Sequence, residues 1–282
     1  MNYIKTMGAG RYKLNIEFFD STLELVDTCK TRTITNSQFD DMEKKRSYDK
    51  SWYGVKSYKE ALDLMNDGWS EQVETLKKEV GKIEKTQVEN RITYYNNVVG
   101  FAPIVPLALS RVPNSMIDAR YRPVRSKVLS IYYSMTINCG NEAEQIIENG
   151  KKLVSAIVLL EKMGYRIALN IVQDYCSHQK GDMLVINVKK PTQPLDLKRI
   201  CFPAMSPAMF RVIGFDWYSK FPRGTYRSGY GHSLHTDCED LNELAEITTQ
   251  MFGKDAMYIS AELIQDKGVD YIVKILQEGK YE

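Results

Sequence analysis

The chain reads as an α/β protein: a mainly parallel open sheet with flanking helices, preceded by a mostly helical N-terminal region. Three observations carry this expectation. The first is the stretch Val128 to Gln173. A β-branched and aromatic run (VLSIYYSMTI) is broken by INCGN. EAEQIIENGKKLVSAIVLLEKMG then follows at helical spacing, and RIALNIVQ is a second apolar run. Strand, helix, strand in that order is a parallel β-α-β unit. The second is GDMLVINVKK, a further strand with Gly181-Asp182 as the turn before it. The third is DAMYISAELI followed by DKGVDYIVKILQEG, a last strand and a closing helix.

Three regions follow in order. Residues 1–95 form the mostly helical N-terminal region. Within it, EFFDSTLELVDTC has Phe18, Leu23, Leu25 and Val26 on one side of a short helix. Ser57 and Glu60 form a capping box for a helix that buries Tyr58, Ala61, Leu62 and Met65, and Gly68 closes it. EQVETLKKEVGKIEKTQVENRI places Val73, Leu76, Val80 and Ile83 on one stripe of a solvated helix. Residues 96–126 are an ordered connection of short strands or turns. Pro103, Pro106, Pro113 and Pro123 forbid a long helix, and the segment is too apolar for disorder. Residues 127–282 are the α/β core domain. There, Pro203 and Pro207 interrupt a helical segment, RGTYRSGYGHSLHTDCEDL is a glycine-rich loop, and NELAEITTQMFG is a helix closed by Gly253.

Composition narrows the function. The chain has 282 residues with a formal net charge of +2. Proteins whose main partner is bulk nucleic acid carry a strong basic excess, so that class is disfavoured. No apolar run reaches the roughly 18 to 20 residues that cross a membrane, and the first residues lack the apolar core of a secretory signal. Cys29, Cys139, Cys176, Cys201 and Cys238 are odd in number and scattered, which fits reduced thiols better than a disulfide frame.

Open parallel sheets bind ligands at the carboxyl ends of their strands. The loop after the strand at 128–137 carries Ser134 and Thr136, the candidate loop site, with Asn138 and Asn141 beyond. A second candidate is a zinc site from His232, His235, Cys238 and Cys176, with His178 as an alternative ligand. The H-x2-H-x2-C spacing matches no common structural zinc pattern, so two polar loops remain the competing reading. The G-x-G of MGAGRYK and of SGYGH lacks the rest of a phosphate loop, and both read as turns. Asp237, Glu239, Asp240 and Glu243 read as a helix first turn with Asp240 as cap. No G-x-S-x-G elbow is present, and no catalytic residue is assigned. A third candidate is a contact surface of Arg211, Trp217, Tyr218, Phe221, Arg223, Tyr226 and Arg227, the aromatic and arginine mixture favoured at interface hot spots. Arg111, Arg120, Arg122, Arg125 and Lys127 with Tyr121 could contact phosphates, so nucleic acid stays open as a partner.

Two resemblances add to this. The order strand, loop, helix, strand, strand resembles the von Willebrand factor A-type fold, whose D-x-S-x-S motif holds a divalent metal. The matching register is Tyr132-Tyr133-Ser134-Met135-Thr136, where both hydroxyls match and Tyr132 stands in place of the aspartate. The resemblance therefore implies a degenerate member without its metal, since two neutral hydroxyls are a poor cage for a hard cation. The segment WYGVKSYKEALDLMNDGW resembles one that recurs in uncharacterised proteins of tailed bacteriophages, through Trp52, Gly54, Ser57, Glu60, Ala61, Leu64, Gly68 and Trp69. It implies a phage origin and a place in the host cytoplasm or the virion. The expected function is a non-catalytic interaction or assembly protein with a protein partner or self-association. The alternative is a metal-dependent enzyme or a nucleic-acid-binding protein built on the His232/His235/Cys238 loop.

Overall fold

A computed structural model describes residues 2–35, 41–45, 47–80, 91–122, 127–222, 232–279 and 281. The chain opens with a hairpin of β1 (Tyr3–Ala9) and β2 (Tyr12–Phe19), then α1 (Thr22–Thr31), α2 (Lys50–Tyr53), α3 (Tyr58–Asp67) and α4 (Ser70–Val80). A small excursion follows: β3 (Arg91–Asn97), β4 (Ala102–Pro103), α5 (Val105–Leu109) and β5 (Met116–Arg122). The core unit is β6 (Val128–Ser134), α6 (Ala143–Lys162), β7 (Arg166–Ser177) and β8 (Lys180–Lys189). After it come α7 (Leu197–Met205), a π-helical turn (Met209–Gly214), α8 (Phe215–Ser219), α9 (Leu234–Asp237), α10 (Leu241–Phe252), β9 (Ala256–Ser260) and α11 (Ala261–Glu278).

The main sheet has six strands in the order β1-β2-β8-β7-β6-β9. β2/β8, β7/β6 and β6/β9 run parallel, while β1/β2 and β7/β8 run antiparallel. The sheet is thus mostly parallel with helices on both faces, as the sequence predicts. Alternation sets the two faces. Leu129, Ile131 and Tyr133 of β6 join Ile167, Leu169 and Ile171 of β7 in the larger core, which also takes in α6, α7, the π-helical turn, α8 and α11. Tyr132 and Val172, one residue out of phase, join the smaller core under α9 and α10.

Several expectations need correction. Phe18 lies in β2, not in a helix; Ser21 caps α1 by accepting from the Glu24 N–H. The alternation of apolar and polar residues in YKLNIEFF was the signal. The hairpin of β1 and β2 belongs to the main sheet, so the mostly helical N-terminal region contributes two strands to the core beside α1–α4. The turn between β7 and β8 is His178-Gln179, not Gly181-Asp182. Gly181 sits inside β8, where a Cβ would come within 2.5 Å of Cys176 Sγ. AELI, read as strand, is the first turn of α11, because Ser260 ends β9 and caps the helix through the Leu263 N–H. Pro203 lies inside α7 without ending it; the break falls at Ser206.

Other expectations stand. Ser57 caps α3 by accepting from the Glu60 N–H at 3.1 Å, although Glu60 Oε2 closes on the Lys56 N–H at 2.7 Å, one residue before the cap, and not on that of Ser57. Asp240 caps α10 and Gly253 closes it. Among the described residues, the segment read as a connection holds β4, α5 and β5, and β3, β5 and β4 form a second sheet of their own. Its boundary at residue 95 cuts through β3.

Candidate functional site

The carboxyl ends of β6, β7 and β9 meet at one place. Ser134 ends β6 beside Ser260, which ends β9. Ser134 Oγ donates to Asp174 Oδ1 at 2.5 Å, and Thr136 Oγ1 accepts from the Asp174 N–H at 3.1 Å. Asp174 Oδ2 accepts from the Leu234 N–H at 2.5 Å and from the Tyr258 hydroxyl at 2.6 Å. Ser134, Thr136, Asp174 and Tyr258 are all fully buried. Burial raises the Asp174 pKa and outweighs these hydrogen bonds, which favour the carboxylate. The sequence-predicted loop residues therefore converge on Asp174, away from the start of α6. That helix is capped by Glu142, whose side chain accepts from the Gln145 backbone N–H in a capping box.

Asp174 supplies the carboxylate absent at Tyr132, which instead stacks on Phe252 with ring centroids 3.8 Å apart. Both Asp174 oxygens are occupied by donors of the chain itself, and solvent reaches none of the group. A divalent cation needs those oxygens, so these residues do not fit the metal that an intact D-x-S-x-S motif holds. The network ties three strands to α9.

The expected zinc ligands do not assemble. Cys176 is buried in the smaller core, and its N–H donates to the His232 carbonyl at 2.9 Å. His235 Nδ1 lies 2.7 Å from Ser260 Oγ and 3.8 Å from Glu262 Oε2. Cys238 faces Tyr12, and burial pushes its thiol up to about 12. Among the described residues, no group of three or more histidine, cysteine or acidic side chains is arranged to hold a metal. The His235, Ser260 and Glu262 trio is not a nucleophile relay either. Serine and glutamate address the same ring nitrogen, and buried Ser260 Oγ already accepts from the Leu263 N–H at 3.1 Å.

The expected contact surface is also displaced. Arg211 and Trp217 have no exposed surface, and Tyr218 and Phe221 are 2% and 1% exposed. Arg223, Tyr226 and Arg227 lie outside the described residues. Arg211 is a clasp instead. Its guanidinium donates to the Trp52 carbonyl at 2.6 Å and to the Asn141 carbonyl at 2.7 Å, and stacks 4.0 Å from the Trp52 ring. Burial pushes its pKa down to about 10. Trp217 Nε1 donates to buried Glu17, which Arg32 holds in a two-point ion pair at 2.6 and 2.9 Å. Arginine and aromatic side chains make hot spots inside a fold as well as between folds, and composition does not distinguish the two.

Exposed apolar surface gathers elsewhere, on the excursion from β3 to β5. Leu109, Val99, Val98 and Phe101 are 79%, 75%, 68% and 66% exposed, and Tyr94, Val105 and Val112 are exposed beside them. Tyr94 and Phe101 touch edge to face at 6.2 Å. Among the described residues, the elements of this arm pack on one another and share no broadly packed face with the body. Its signal in the sequence was the apolar run between prolines, read only as a connection.

A family model described as a domain of unknown function, DUF7192, matches residues 6–278. No curated protein and no solved structure matches the chain.

Proposed function

The chain belongs to the DUF7192 family, whose description assigns no activity, and we propose that it is a non-catalytic interaction protein that works through the arm of β3, β4, α5 and β5. The observation that carries this is the arm's apolar surface. Exposed apolar surface of this kind marks interaction sites, and these side chains lie in neither core. The strand-end cluster supports the same reading, because Asp174 and its donors satisfy one another and leave no approachable group. The likeness of residues 52–69 to tailed-phage proteins sets the context: assembly of a virion, or capture of a host protein in the cytoplasm. That segment docks Trp52 on Arg211, so it supports the fold rather than the contact.

The test is affinity purification from expressing or infected cells with the wild type and with a Phe101→Ser, Leu109→Ser variant. The two should melt alike, since both side chains are exposed. The proposal expects a partner, or extra copies of the chain itself, to co-purify with the wild type and to be lost from the variant. A partner retained by the variant, or a zinc-dependent activity lost on His235→Ala, would replace this reading with another surface or with the metal-enzyme alternative.

A further inference from the structure

We propose that the cleft at the carboxyl ends of β2 and β8 binds a small phosphate ester. The six-stranded sheet holds two parallel blocks that run in opposite directions: β2 with β8, and β7 with β6 and β9. Parallel strands of an open sheet receive ligands at their carboxyl ends. Asp174 and its donors close that end of the second block. The first block ends in open space. Asp20 follows β2 directly, Lys190 follows β8 directly, and both line a cavity of about 410 Å³. The end of α3 and the starts of α1 and α7 complete its walls. Small-molecule sites occupy roughly 300 to 1,000 Å³, so the cavity takes a ligand of modest size.

Three cations meet there: Lys190, and Lys198 with Arg199 in the first turn of α7. None of the three forms an ion pair among the described residues. Two carboxylates, Asp20 and Asp67, share the lining, so it keeps a net positive charge. A cleft with an excess of one sign of charge concentrates ligands of the other. The helix starts are not what holds the anion. Ser21 already accepts from the Glu24 N–H of α1, and Asp196 from the Lys198 N–H of α7. The side chains are left to do it. An arginine fork beside two ammonium groups suits the doubly charged phosphate better than a single carboxylate. Asn66 and Asp67, from the end of α3, offer acceptors for hydroxyls on the esterified group. The frame is set before any ligand arrives, which lowers the cost of binding. The Lys190 N–H donates to Gln193 Oε1 and the Gln193 N–H returns to the Lys190 carbonyl, both at 3.0 Å. Gly68, at a φ of 81°, lays the end of α3 against Lys198.

Isothermal titration calorimetry of the full chain tests this with ribose 5-phosphate, inorganic phosphate and ribose as probes. One variant is Lys198→Gln, Arg199→Gln; a second, on a different element, is Lys190→Gln. All three side chains are exposed, so both variants should melt with the wild type. Ribose 5-phosphate should bind the wild type saturably, more tightly than inorganic phosphate, and more weakly in high salt because exposed charges are screened. The double variant should bind it roughly tenfold more weakly or worse, and Lys190→Gln should shift affinity in the same direction. Ribose should give no saturable heat. Absence of binding by ribose 5-phosphate overturns the proposal, and so does unchanged binding by the double variant. Inorganic phosphate or ribose binding as tightly as the ester overturns the assignment of a phosphate ester. The cleft is separate from the arm, so each of these results leaves the purification experiment above to decide the interaction reading.

Discussion

Arg211 shows how one side chain can hold distant parts of a chain together. It joins the helix at residues 50–53, the loop before α6 and the π-helical turn through two carbonyls and one ring. Arg211→Lys keeps the charge but not the planar fork, and one of the two carbonyls loses its donor. A loss of about 2 to 3 kcal/mol in urea unfolding is expected. Asp174 makes a second, sign-specific prediction. Its raised pKa means that the folded state keeps a proton which the unfolded chain has already released. That contribution is complete below the ordinary carboxylate range and is lost as pH rises through the raised value. Asp174→Asn fixes the neutral form, so the wild type's urea midpoint should fall with rising pH more steeply than the variant's; parallel curves would refute the assignment. His178 and Gln179 both hold positive φ, at 50° and 65°, in the two-residue turn between β7 and β8. His178→Asn with Gln179→Gly suits that turn and should raise stability by about 1 kcal/mol, read as a higher melting temperature. None of these three roles was legible in the sequence. Asp174 is an acid inside an apolar strand run, a residue type depleted there, and that oddity was the one available flag. Arg211 gave the wrong signal, because its aromatic neighbours look the same in a core as on a surface.

At the scale of elements, the sequence carried more. Period and capping residues marked α3 and α10, because each writes its start in a side chain that bonds its own first turn, while period alone marked α6. Long apolar runs marked β6, β7 and β8 for the same local reason. The hairpin of β1 and β2 was missed since its pairing partner β8 lies far along the chain. The π-helical turn was missed because its cause is tertiary. Gly214 there approaches Gln173 so closely that a Cβ would fall 1.6 Å from Oε1. Gln173 in turn donates to the Met209 carbonyl at 3.1 Å. Gly214→Ala must push these apart, and a loss of about 3 kcal/mol in chemical denaturation is expected. An unchanged midpoint would show that the turn is slack.

The whole molecule divides into a sheet with well-filled cores on both faces and an arm that leaves its apolar side chains in water. No helix among the described residues is long and apolar enough to cross a membrane. The sequence revealed the sheet but not the arm's exposed apolar side chains, because exposure is a property of the assembled fold. The central claim is that the arm is the working surface, and site-specific photo-crosslinking tests it most directly. A photoreactive residue at Phe101 or Leu109 should give a discrete cross-linked species in expressing cells, while the same residue at exposed Leu23 on the body should not. No species from the arm positions, or the same species from Leu23, would contradict the account.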